Sequence, residues 1–374
     1  MRQLHTGLCD LLDIRYPILQ AGMGIITPYS LTATSPELVA AVSNAGGLGV
    51  LGLGLMTPDE IGQQIKKTKQ LTSQPFGVDL LFPTLGGVGS LEQLKAQIPR
   101  EHREFVARLQ REFDIPSPQK PVDPQMWINM ASPDIAMRQF EVLLEERVPV
   151  FVSGLGNPAP VVPRAHAQGM KVMACVGNVK TAVRVAEGGV DAIVAAGWDA
   201  GGHGGRTGTF TLIPQVVDAI HPIPVIAAGG IADGRQVAAA LMLGAQGVWV
   251  GSAFLATTEA PIPQWYKDLI IRADDEGTAK SEYWTGKLMR HFKTPLGAAW
   301  ETSGLKPLPM PLQGILMWDI VAGALEQGKY EHSGQLIGQG IGMTKGIKSA
   351  RQVVEELVGG AIQALEIGEG AGRA

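Results

Sequence analysis

Short, almost wholly apolar runs alternate along the first 255 residues with segments whose apolar positions recur every three or four residues. A run without polar alternation fits a strand covered on both faces, and the recurring spacing fits an amphipathic helix. The runs predict strands at 16–20, 48–53, 76–82, 149–154, 171–177, 192–197, 224–229 and 247–255. The spacing between them predicts helices at 36–44, 58 to about 69, 134–146, 160–168, 181–187, 214–220 and 233–243. The second helix marks its own start, because Thr57 offers a capping hydroxyl, Pro58 takes the first helical position and Glu60 the third.

Eight buried strands with helices between them describe a parallel sheet, and the span from first to last suits a closed (β/α)8 TIM barrel. An open doubly wound sheet is the alternative. It has little to rest on, since no GxGxxG follows the first strand with an acidic residue about twenty positions later. Residues 83–133 break the rhythm with Pro/Gly-rich edges around an amphipathic stretch in which Phe105, Leu109 and Phe113 fall four apart, so they read as an insertion after strand three. The expected organisation is a barrel over 1–256 containing that insertion, followed by 257–374. This last part reads mostly helical, closes in an amphipathic helix over 349–365, and has too many Pro and Gly interruptions to stand alone, so a cap or flank on the barrel is expected.

Composition narrows the class. A net charge of −4 gives no electrostatic case for nucleic acid or acidic membranes as partners. Two cysteines, Cys9 and Cys175, lie far apart with no partner at ligand spacing, which suggests neither a disulfide framework nor a metal site. Asp10, Asp13 and Arg15 interrupt the first apolar stretch, and no run of about 18 apolar residues follows, so a cytoplasmic protein without export or membrane segments is expected. Forty-eight glycines, many closing an apolar run, read as tight strand-to-helix turns.

One stretch carries candidate chemistry. Residues 192–208, AIVAAGWDAGGHGGRTG, pass from an apolar strand into a glycine-rich segment around a single histidine, His203. Such a segment lets backbone N–H groups approach a ligand, and an imidazole flanked by Gly-Gly on both sides has no packed core around it. In a (β/α)8 barrel the loops after the strands open at one face. Gly22 and Met23, Asp79, Gly154, Gly177 and Asn178, His203, Gly229 and Gly230, and Gly251 and Ser252 should therefore share one mouth. Glycine-rich ends of strands seven and eight beside a helix start form a phosphate site, which predicts a phosphorylated cofactor. Taken alone, each glycine reads first as a turn residue, and Asp79 reads equally as a buried acid bonded to backbone.

The strings PILQAGMG, FGVDLLF, AAGWDAGGHGG, PVIAAGGIADG and GVWVGSAFLATTEA resemble the nitronate monooxygenase, or 2-nitropropane dioxygenase, family. That family consists of FMN-dependent barrels related to flavin-dependent enoyl-thioester reductases and quinone reductases. The resemblance covers residues 1–260, and the GQGIGM string of the tail is similar to longer members. It implies FMN, a small-molecule substrate and O2, with alkyl nitronates oxidised to a carbonyl compound and nitrite. It also implies cofactor contacts at Gly22, Met23, Asp79, Gly201, Gly202, Gly229, Gly230, Gly251 and Ser252, with Ala196 and Gly197 in the same set, and places His203 as the active-site histidine. The chain departs from the commonest pattern at three positions: Ala196 replaces a glutamine, Asp79 an asparagine, and Trp198 a smaller residue, and Ala196 and Trp198, on either side of Gly197, are expected to decide the substrate. The alternative is an NAD(P)H-dependent reductase of an enoyl-CoA-type thioester or quinone, with Lys345, Lys348 and Arg351 meeting substrate phosphates. A homodimer stays open as the assembly.

Overall fold

The computed structural model describes residues 4–24, 32–82, 90–120, 126 and 132–371. Eight parallel strands form one sheet: β1 (Ile18–Gln20), β2 (Gly49–Gly52), β3 (Phe76–Phe82), β4 (Val150–Gly156), β5 (Lys171–Val176), β6 (Ala192–Ala196), β8 (Val225–Ala228) and β9 (Gly247–Val250). The intervening β7 (Gly202–His203) belongs to a second sheet. Each large-sheet strand pairs with its neighbour in chain order, and β9 pairs with β1. Closure comes between β1 and β2. The Leu48 N–H donates to Ile18 and the Gln20 N–H to Leu48, at 3.0 and 2.9 Å, and the buried Gln20 side chain exchanges two bonds with the Val50 backbone. The result is a (β/α)8 TIM barrel, which removes the open-sheet alternative.

The all-apolar strands follow from this closure. Ile18, Leu51, Val78 and Ile193 face outward against the helices, while Leu19, Val50, Val152, Val194 and Ile226 fill the barrel interior. A short helix, Gly7–Leu12, joins that inner cluster through Leu8, Cys9 and Leu12. The Thr57 capping box forms as its sequence predicts, with Glu60 Oε2 accepting from the Thr57 N–H at 2.8 Å.

Two expectations need correction, and a third gains a detail. The eighth strand ends at Val250, and Gly251 caps a short helix, Ser252–Leu255. The helix expected at 214–220 begins at Thr209, whose N–H is capped by Asp199 Oδ2 at 2.8 Å, a contact from outside any local periodicity. The C-terminal part, though largely helical, contains an antiparallel hairpin of β10 (Thr278–Ser281) and β11 (Met289–Phe292), and β11 continues onto β7.

Of the expected insertion, residues 83–89, 121–125 and 127–131 lie outside the described residues. The rest forms helices Leu91–Gln97 and Arg100–Glu112, and both pack on helix Leu312–Glu326 of the C-terminal part. Phe105 meets Trp300 edge-on at 4.9 Å, and Leu109, Trp284 and Trp318 extend this into a second hydrophobic cluster. No described helix is long and apolar enough to cross a membrane.

Candidate active site

A cavity of about 290 Å³ opens at the C-terminal ends of the barrel strands. Gly22, Met23, Asp79, Ala196, Gly201, Gly202, His203, Gly229, Gly230, Gly251 and Ser252 all line it, so residues from five strand ends converge as the topology requires. Gly197 does not line it. A Cβ there would lie 2.5 Å from the Thr209 backbone, so this glycine serves helix-to-strand packing. Gly154 lines the cavity, but Gly177 packs on Gly205, and Asn178 caps helix Val179–Ala186 through the Thr181 N–H.

Asp79 is buried on β3 between two glycines. A Cβ at Gly22 would stand 2.5 Å from the Asp79 Cβ, and one at Gly154 would stand 2.4 Å from Oδ1, so glycine at both positions makes room for the carboxyl. Burial raises its pKa well above the ordinary carboxylate range, and a bond from the Gly154 backbone offsets only part of this. Its Oδ1 has no hydrogen-bond partner. A buried polar oxygen left free beside a cavity awaits a ligand donor. Cys175 also lines the cavity, and burial followed by the nearby Asp79 raises its thiol well above the ordinary range.

Across the cavity, His203 is held by the C-terminal hairpin. Its backbone pairs with Met289 in the second sheet, and its Nε2 lies 3.0 Å from Thr285 Oγ1. The residue is exposed where it lines the cavity. Burial, then the Lys287 charge, push its pKa down to about 3, so the imidazole is neutral at ordinary pH.

At the other end, Gly229 and Gly230 take φ of 113° and 74°, conformations that side chains resist. The GQGIGM string returns to this point. The Gly338 N–H donates to Ser252 Oγ at 2.8 Å, and a Cβ on Gly340 would stand 2.3 Å from the Gly230 carbonyl oxygen. Glycine cradles at these strand ends, together with the free Asp79 oxygen, fit a polar, phosphorylated ring cofactor.

Comparison with known proteins fits this geometry. Residues 5–360 match the family described as nitronate monooxygenase. The chain belongs to the nitronate monooxygenase family. A Mycobacterium tuberculosis protein named as a monooxygenase is 38% identical, over 95% of this chain and 96% of its own. Among solved structures, the nitroalkane oxidase of Streptomyces ansochromogenes is 28% identical with a TM-score of 0.78, covering 97% of this chain and 99% of that one. FabK from Thermotoga maritima is 30% identical with a TM-score of 0.75, covering 98% and 99%. Like its family, this nitronate monooxygenase homologue is a flavin-dependent oxidoreductase, as the sequence resemblance implied.

Sequence reasoning missed part of the wall. Tyr266, Leu336, Gly338 and Gly340 line the cavity from the C-terminal part, and Tyr266 donates to the Leu336 carbonyl at 2.7 Å. The glycine spacing of GQGIGM was the available signal, but nothing local says which surface it meets. Trp198, expected near the substrate, does not line the cavity. Its ring instead faces Lys280 and Arg290. Among the described residues no group of three His, Cys, Asp or Glu could hold a metal ion.

Proposed function

We propose that the protein is an FMN-dependent nitronate monooxygenase that oxidises alkyl nitronates with O2 to a carbonyl compound and nitrite. The observation that carries this reading is one cavity faced by a buried acid with a free oxygen, Asp79, and by a neutral imidazole, His203. Bound FMN supplies the electron-accepting chemistry. Gly22, Met23 and Asp79 would hold the ring system, and Gly229, Gly230, Gly251 and Ser252 the phosphate, with Ala196, Gly201 and Gly202 along the wall. His203 would face the substrate from the cavity wall as a neutral imidazole. Tyr266 and Leu336 cover the cavity from the C-terminal side and limit water there.

The test is anaerobic mixing of the purified yellow protein with a nitronate, and separately with NADH and NADPH, while flavin absorbance is followed. Rapid bleaching by nitronate, nitrite release on admitting O2 and a released cofactor matching FMN support the reading. Bleaching by a nicotinamide with none by nitronate would reverse it.

The likeness to FabK favours a second reading, an FMN-dependent NAD(P)H reductase of an enoyl-CoA-type thioester or quinone. The basic residues that this reading assigned to substrate phosphates have other partners. Lys345 donates to the Ala273 carbonyl at 3.1 Å, Lys348 pairs with Glu356, and Arg351 lies 3.9 Å from Glu355 one helical turn on.

A further inference from the structure

The loop 282–288 joins β10 to β11 and brings Thr285 against the histidine. Thr285 is buried, and four groups surround its single hydroxyl. His203 Nε2 is at 3.0 Å, the Lys287 carbonyl oxygen at 3.1 Å, the Lys287 N–H nitrogen at 3.3 Å and Met289 Sδ at 3.5 Å.

A hydroxyl has one proton and two lone pairs to distribute. The Lys287 amide can only donate, its carbonyl can only accept, and the imidazole nitrogen can do either. With the hydroxyl proton on the Lys287 carbonyl, one lone pair takes the Lys287 N–H and the other takes an N–H from His203. Every group is then satisfied. With the proton on Nε2 instead, the carbonyl loses this donor and one lone pair of the hydroxyl goes unused. Leaving buried polar groups unmatched costs more than a made bond returns. Met289 does not change the count, because a thioether is a weaker acceptor than a carbonyl.

We propose that Thr285 is a positioning residue that fixes His203 as the Nε2–H tautomer, leaving Nδ1 as a bare lone pair toward the cavity. Among the described residues Nδ1 has no hydrogen-bond partner, and the residue lines the cavity. A ligand N–H or O–H can meet Nδ1 directly, whereas the oxygens of a nitronate would take their hydrogen bonds from other groups of the cavity. Backbone pairing of Met289 with His203 holds the main chain while Thr285 sets the side chain, so one hairpin fixes both. The tautomer belongs to the resting protein, so the result does not depend on which substrate is right.

The experiment is nitrogen NMR of flavin-loaded protein labelled with ¹⁵N-histidine at neutral pH, with His203→Asn used to assign the signal. In the wild type, His203 should show a protonated Nε2 and an unprotonated Nδ1, and Thr285→Ser should keep that pattern. Thr285→Val, of the same shape without the hydroxyl, should show both tautomers while retaining its flavin. A wild-type proton on Nδ1, or a Thr285→Val spectrum unchanged from wild type, overturns the proposal. Should Thr285→Val fail to fold, the wild-type and Thr285→Ser spectra decide the matter by themselves.

Discussion

Arg290 grips Trp198 at two points: Nε and Nη2 both donate to its carbonyl oxygen at 3.2 Å, and the guanidinium lies 5.7 Å from the indole centroid. Lys280 reinforces this, with Nζ 4.2 Å from the ring centroid and bonds to the Trp198 and Gly205 carbonyls at 3.2 and 2.6 Å. Two cations of the C-terminal hairpin thus hold both ends of the glycine-rich segment around His203. Glycine gives that segment room for a ligand, and the cations remove the freedom that glycine would otherwise leave.

Arg290→Met should therefore lower stability by about 1.5 to 3 kcal/mol, the range for hydrogen bonds from a charged group, as read in urea. It should also weaken flavin retention. Arg290→Lys should restore neither fully, since an ammonium cannot present two coplanar donors to one carbonyl. Wild-type flavin affinity in Arg290→Met would show that the clamp is not needed for the cavity.

Asp79 separates cofactor binding from folding. Without a ligand its buried oxygen is unpartnered, so Asp79→Asn should leave apo-protein stability within about 1 kcal/mol. Asp79→Leu removes every polar atom and should lose most flavin, measured as the ratio of flavin to protein absorbance, whereas Asp79→Asn should keep it. Equal flavin content in Asp79→Leu and wild type would remove Asp79 from the cofactor site.

His203 sets an acid dependence whose sign follows from its lowered pKa. The unfolded chain takes up a proton near pH 6.5, while the folded protein resists it down to about 3. Between these values the unfolded state binds more protons, so the contribution of His203 destabilises the fold as pH drops through that window and vanishes above it. Urea midpoints of apo-protein at pH 7 and pH 5 should fall more for wild type than for His203→Asn. The variant should also keep its flavin and lose most nitronate turnover, and full turnover would end the catalytic role of His203.

Gly340→Ala tests the return of the C-terminal part to the barrel mouth. Its Cβ would stand 2.3 Å from the Gly230 carbonyl oxygen, which is backbone and cannot swing aside. A cost of about 1 to 3 kcal/mol, with weaker flavin binding, is expected from such overpacking. Gly346→Ala, where a Cβ meets nothing within 4 Å, serves as the control and should change neither. Matching losses in the two variants would mean that the loop, not the contact, is responsible.

Much of this architecture was legible because its causes are local. Apolar strands such as Phe76–Phe82 declare burial on both faces, and Thr57 with Glu60 declares a helix start. Glycines at strand ends, with Asp79 and His203, fall on one cavity because barrel topology collects strand ends at one face. What stayed hidden depends on distant partners. β7 is two residues long and exists only because Met289 and Arg290 pair with it, so no periodicity announces it. Trp198 stands off the cavity lining for the same reason, since the cations that hold its ring lie more than eighty residues on. Gly177 and Gly197 look like their lining neighbours, but each packs on backbone, at Gly205 and Thr209 respectively.

The dependence of the barrel mouth on Thr285, Gly338 and Gly340 has a consequence for synthesis. Chains emerge from the ribosome N-terminus first, at about 5 to 20 residues per second. All eight barrel strands are therefore made before the residues that orient His203 or close the cavity at Gly230. The segment that meets the barrel mouth at Gly230 and Ser252 is among the last to be made. The order of translation thus places the residues that complete the cavity wall after those of the barrel strands.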